Sequence, residues 1–220
     1  MRFNRIKTEK DIEKAVEEYG FLPFFRSVIP GLSLEEMADS SVWFPEKGEG
    51  VWEWKDPVIT STCCAYGKFF LAHPGFVSKD LFMILAAYRR DGYDIEGMIN
   101  DGLLSHNEVN LYNILAETGS ERGAYLRAKA NMSKSSFDKY NTRLQMKTFM
   151  MISGFEFGIA KDGHRYGWGV ARYAIPEAVY ENFEESIDKW KPEEAYSILF
   201  RHLKSLLPAA DDSDITRFLG

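Results

Sequence analysis

Cysteine is nearly missing from this sequence: 220 residues hold two, Cys63 and Cys64, adjacent in the chain. Neighbouring cysteines cannot staple distant segments, so a disulfide scaffold is excluded, and both thiols are expected to be reduced and buried. Long apolar runs are missing too. The run that includes residues 82–87 falls far short of the roughly 20 residues that span a bilayer. The first twenty residues are charged throughout and lack the apolar stretch of a secretory signal. These absences point to a cytoplasmic protein without membrane association. Histidine is scarce as well. His73, His106, His164 and His202 are far apart, and none has metal-ligand spacing with Cys, Asp or Glu. No phosphate-binding loop, dinucleotide fingerprint or nucleophile elbow occurs, so no cofactor and no metal are expected.

What is present is an ordinary globular composition, 45% hydrophobic and 27% charged, with a high 15% of aromatics. The net charge of −6 argues at first against nucleic acid, yet its distribution is uneven. Residues 121–172 carry ten Lys and Arg against four Asp and Glu, a net +6, which leaves −12 for the rest of the chain.

Thr8, followed by Glu9 and Asp11, reads as the cap of a first helix that ends at Gly20. Residues 41–60 read as irregular. "AYGKFFLAHPGFVS" reads as two short strands about a Pro74-Gly75 turn. Ser78 opens a helix with Leu81, Ile84, Leu85 and Tyr88 on one face, and a Gly- and Asp-rich linker follows. From residue 105 three helices are expected: HNEVNLYNILAETG, SERGAYLRAKAN and SKSSFDKYNTRLQMKT. The stripe of the third is Phe137, Tyr140, Leu144 and Thr148. "FEFGIAKDGHRYGWGVARY" then reads as a hairpin about Asp162-Gly163. Counting outward from that turn places Phe155, Phe157, Ile159, Tyr166, Trp168 and Val170 on one core-facing side. A helical tail follows Pro176.

Three helices and a hairpin are the order of a winged helix, with the third helix placed to enter a major groove. The expected fold is α+β: an aromatic-rich α+β subdomain over residues 1–100, a winged helix-turn-helix module over 101–176, and a C-terminal helical tail over 177–220. On the third helix Ser135, Lys139, Thr142, Arg143 and Met146 lie opposite the apolar stripe. Ser135, Lys139, Thr142 and Arg143, with Lys161, His164 and Arg165 at the hairpin tip, are the candidate contacts to double-stranded DNA. A continuous positive stripe joining Lys139, Arg143 and Arg165 would support that surface, and intervening acids would weaken it.

"GFLPFF", "WEWKDPVI", "AYGKFF", "YRRDGYD", "TRLQMKTF" and "YGWGVARYAIPEAV" together resemble the AlkZ-related proteins, small relatives of the AlkZ/YcaQ winged-helix DNA glycosylases. The resemblance runs from residue 2 to about 220 and implies a winged-helix architecture and association with DNA. The glycosylases use a Gln-x-Gln or Gln-x-Asp motif near their N-terminal end to position water and stabilise the developing sugar cation. This chain has a single glutamine, Gln145, and reads "GFLPFF" where the motif would be expected. No catalytic residue is therefore carried over.

A second candidate site is aromatic: Trp52, Trp54 and Tyr66, with Glu53 and Arg89, could hold a flipped base by stacking and edge hydrogen bonds. Core packing of the same residues is the simpler account. Three functions remain open at this level. The first is a DNA-binding protein without catalysis, tied to repair or regulation. The second is a divergent glycosylase using Glu53 or Asp56, and the third a protein-interaction module.

Overall fold

A computed structural model describes residues 5–161 and 165–220. The fold is α+β, built around one six-stranded antiparallel sheet.

Helix α1 (Glu9–Tyr19) starts at the expected cap. Thr8 Oγ1 accepts from the Asp11 N–H, and the Asp11 carboxylate accepts from the Thr8 N–H at 2.9 Å. This is a reciprocal capping box. The helix buries Ile12, Ala15, Val16 and Tyr19, and leads into strand β1 (Phe21–Pro23). A short helix α2 (Leu34–Met37) and a single 3-10 turn (Ser40–Val42) follow. Residues 41–60 are less irregular than expected. Helix α3 (Lys55–Thr62) lies partly within them, with Pro57 in its first turn, where a missing N–H costs nothing. Cys63 caps α3 in the left-handed region and is exposed, whereas Cys64 is buried, so only one thiol meets the expectation.

Strands β2 (Ala65–Phe70) and β3 (His73–Val77) form a hairpin that turns at Leu71-Ala72, not at Pro74-Gly75. Both turn residues have positive φ, 50° and 69°, in a position where Gly or Asn is the usual signal. The Ala72 N–H donates to Met146 Sδ at 3.2 Å, so a contact distant in sequence holds the turn.

Helix α4 (Lys79–Arg90) follows. The Gly- and Asp-rich segment after it is not only a linker: Asp94 caps α5 (Ile95–Asn100) there. Then come α6 (His106–Thr118), β4 (Ser120–Arg122), α7 (Gly123–Lys129), α8 (Lys134–Met146), β5 (Met151–Ile159) and β6 (Arg165–Ala174). The segment expected as one helix from Ser120 begins as strand β4, paired with β6. The tail comprises α9 (Pro176–Val179), α10 (Phe183–Ile187), α11 (Pro192–Leu206) and α12 (Asp212–Leu219).

The sheet order is β1-β3-β2-β5-β6-β4. Two apolar clusters fill the interior. The larger gathers α1, β1–β3 and α4 together with Phe183, Leu199, Leu203 and Phe218 of the tail. The smaller gathers Met98, Leu111, Leu115, Leu126, Phe137, Leu144 and Phe149. Arg90 stands between them, its guanidinium 4.1 Å from the Phe149 ring centroid and 4.9 Å from that of Phe183.

The β5–β6 hairpin departs from the expected register. Ile159 pairs with Arg165 and Gly158 with Tyr166, but Glu156 pairs with Val170 and Phe155 with Ala171. Residues 167–169 therefore stand opposite Phe157 alone, a bulge with Gly167 at φ +77°. A second shift lies at Ser153. The aromatic side does not stay in the core: Trp168 is 74% exposed and Ile159 62%, and Val170 is exposed as well. Phe155 and Phe157 are half-buried. The outer half of the hairpin extends beyond the core, and the bulge turns Trp168 outward.

Candidate nucleic-acid interface

Ser133 starts α8 by accepting from the Ser136 N–H. The helix buries Phe137, Asn141, Leu144 and Gln145. Gln145 is a packing residue. Its Oε1 accepts from the Lys68 N–H at 2.8 Å, and its Nε2 donates to Asn141 Oδ1 at 2.6 Å. Lys68 Nζ in turn donates to Thr142 Oγ1 at 3.0 Å. One edge of α8 is thus docked on β2. Thr142 and Met146, expected on the open side, are half-buried there, while Ser135, Lys139 and Arg143 remain exposed.

Charge on this surface is partly neutralised. Arg143 Nε lies 3.1 Å from Oε1 of Glu108, a fully buried carboxylate whose other oxygen completes the Ser105 cap of α6. Arg165 Nη1 is 3.4 Å from Asp56 Oδ2, and its guanidinium lies 5.1 Å from the Phe157 ring centroid. Arg122 and Arg172 both pair with Glu156, and these hydrogen bonds, Arg172's first, hold the Glu156 carboxyl below its ordinary pKa. The stripe from Lys139 through Arg143 to Arg165 is therefore interrupted by acids. Lys161 is exposed, and His164 lies outside the described residues.

Three exposed lysines without a carboxylate partner among the described residues lie around the α7–α8 junction. Lys129 at the end of α7 and Lys134 and Lys139 on α8 are exposed, with Tyr125 44% exposed nearby on α7. Lys139 Nζ lies 5.3 Å from the Tyr140 ring centroid. Lys129 and Lys134 were absent from the sequence-based set. Both belong to the basic segment, but a helical-face argument confined to α8 does not join the end of one helix to the start of the next.

The aromatic candidates separate. Trp52 meets Phe24 at 5.0 Å, Trp43 at 5.8 Å, Phe44 at 6.4 Å and the exposed Trp168 at 6.2 Å between ring centroids. Lys55 Nζ lies below this group, 4.3 Å from the Phe155 centroid and 5.2 Å from that of Trp52. Burial lowers the Lys55 amine to about 8. Trp54 is the half-buried N-cap of α3. Tyr66 is buried beside Phe76 and Phe155, and burial raises its phenol pKa. Arg89 is not with them: it donates to the carbonyls of Leu219, Met146 and Phe69 at 2.8, 3.1 and 2.8 Å. The two carboxylates considered for catalysis are both engaged locally. Glu53 Oε2 accepts from the Gly50 N–H at 2.9 Å, and Asp56 Oδ1 accepts from the Phe155 N–H at 2.8 Å.

Among the described residues no group of three or more His, Cys, Asp or Glu could hold a metal ion, and no helix is long and apolar enough to cross a membrane. The model of the AlkZ-related family matches residues 6–220, and the chain belongs to that family. No curated protein and no solved structure matches it.

Proposed function

We propose that this member of the AlkZ-related family binds duplex DNA, in a repair-associated role and without excising bases itself. The order α6–β4–α7–α8–β5–β6, with β4 and β5 flanking β6, supports a winged-helix reading, in which α7 and α8 form the helix-turn-helix and the hairpin forms the wing. One observation carries the contact surface: Lys129, Lys134 and Lys139 are exposed where α7 meets α8, and none has a carboxylate partner among the described residues. A lysine already held by a carboxylate releases little on meeting a phosphate, whereas an unpaired one exchanges counterions for it. Ser135 beside them and Lys161 on the hairpin extend the surface, with Arg143 and Arg165 available once their acids are displaced.

The non-catalytic part of the reading draws on the buried Gln145 amide, bonded at both its oxygen and its nitrogen, and on the local hydrogen bonds of Glu53 and Asp56. Titration of plain and alkylated duplex across a salt series tests both parts. The expected result is a log affinity that falls with log salt by about 0.9 per phosphate contact, with no abasic sites in the alkylated duplex. Failure to bind any duplex at low salt overturns the binding proposal. Abasic sites that disappear in Glu53→Ala or Asp56→Ala overturn the non-catalytic one.

A further inference from the structure

The β2–β3 turn, held from the end of α8 by Met146, borders a cavity of about 330 Å³. Arg26, His73 and Arg217 line it from three separate segments: the chain after β1, the start of β3, and α12. No acidic residue lines it. None of these three side chains has a hydrogen bond or ion pair among the described residues. Glu35 uses Oε2 on the backbone N–H of Arg26 at 2.9 Å and makes no ion pair with its guanidinium. In a chain of net charge −6, three unpartnered basic side chains around one acid-free cavity stand out. The remaining lining is Ser27, whose hydroxyl is engaged with the Ile29 backbone, and the apolar Val28, Phe70, Leu71 and Phe218, with Phe70 and Phe218 packed against each other at 4.9 Å between centroids. Arg89 lies just behind this wall, its guanidinium bound to the carbonyls of Phe69 and Leu219, one residue from each ring.

We infer that this cavity binds a phosphate monoester carrying an apolar or aromatic body. Two guanidiniums match a dianion and can each bind it through two parallel N–H···O bonds. A carboxylate would leave one of the two cations unpaired. Half-buried Val28 and Leu71, backed by the nearly fully buried Phe70 and Phe218 rings, supply apolar contact to the body of the ligand, which inorganic phosphate lacks. The site is independent of the α7–α8 surface, so either can fail without the other.

Calorimetric titration of the full chain with phenyl phosphate, inorganic phosphate and benzyl alcohol tests the inference. Phenyl phosphate is expected to bind about tenfold tighter than inorganic phosphate, and benzyl alcohol not measurably. Arg26→Ala combined with Arg217→Ala is expected to weaken phenyl phosphate about tenfold or more. Both residues are exposed, so the unfolding temperature should hold. Competition with a 5′-phosphorylated or a 5′-hydroxyl oligonucleotide distinguishes the source. Displacement by the phosphorylated strand alone assigns a nucleic-acid end, and displacement by neither assigns a free phosphoester. Equal displacement by both strands, phenyl phosphate no tighter than inorganic phosphate, or a double variant that binds unchanged would each overturn the site.

Discussion

The side-chain carbonyl of Gln145 accepts the backbone N–H of Lys68 at 2.8 Å, across 77 positions of sequence. The single glutamine of the chain is thus spent on docking α8 against β2. Gly67 makes the approach possible: a Cβ there would lie 2.9 Å from Gln145 Oε1 and 2.8 Å from Phe69 Cζ. Gln145→Leu strands the Lys68 N–H and Asn141 Oδ1, and should cost about 2–3 kcal/mol in denaturant unfolding. Gly67→Ala should cost about 1–3 kcal/mol by overpacking. Stability within 0.5 kcal/mol (about the noise of a neutral surface change) in both variants would refute the docking role.

Buried Arg90 and half-buried Glu177 form an ion pair at 2.6 Å, and Arg90 Nη2 also donates to the Thr148 carbonyl at 2.8 Å. Removing one partner leaves an uncompensated charge between the two apolar clusters. Glu177→Ala should therefore destabilise by about 3 kcal/mol. Arg90→Met with Glu177→Ala should cost less than the sum of the single changes, because no lone charge remains. Additive losses in the double-mutant cycle would show that the pair is not coupled.

Lys55 gives a pH dependence of definite sign. Burial lowers its amine from 10.5 to about 8 in the folded state. Between those values the unfolded chain binds the proton more strongly, so stability from this group rises as pH climbs from about 8 towards 10.5. Below about 8 both states are charged and the burial penalty is fully present. Wild type should gain more thermal stability between about pH 7.5 and about pH 10, which spans most of the interval from about 8 to 10.5, than Lys55→Met does. Equal gains would remove the assignment.

Charge reversal tests the proposed DNA surface residue by residue. Lys129→Glu, Lys134→Glu and Lys139→Glu together should weaken duplex binding strongly and, where binding is still measured at low salt, flatten the salt slope by about 2.7, three contacts' worth. Arg143→Glu is expected to act less on binding and more on stability, because it places a second carboxylate against buried Glu108. A triple variant that binds with the parent's salt slope would move the interface elsewhere.

The single Trp168 on the hairpin bulge provides a local reporter. At 74% exposure it should dominate acrylamide quenching of the chain's fluorescence, and Trp168→Phe should remove most of the quenchable signal with little loss of stability. A strongly destabilised Trp168→Phe would mean that the ring is buried after all.

The sequence by itself determined the local beginnings and ends. Thr8 announces its helix because a short hydroxyl reaches an N–H only three residues away, whereas Ser78 opens α4 without such a bond. Apolar spacing likewise gave the buried Phe137 and Leu144 of α8, and the order of the later elements apart from β4. The turn at Leu71-Ala72 carried no such signal, since its support is Met146, 74 residues on. The hairpin face was misread for a related reason. Period-two counting from a two-residue turn puts Ile159 opposite Tyr166, whereas Ile159 pairs with Arg165, and the shifts at residues 167–169 and at Ser153 change the ladder again. Which cations stand free was decided only by tertiary structure. Arg143 and Lys139 share a helix and read alike, until folding brings Glu108 beside one and leaves the other in solvent. Charge pairing is a property of neighbours in space, and the chain order carries no record of them.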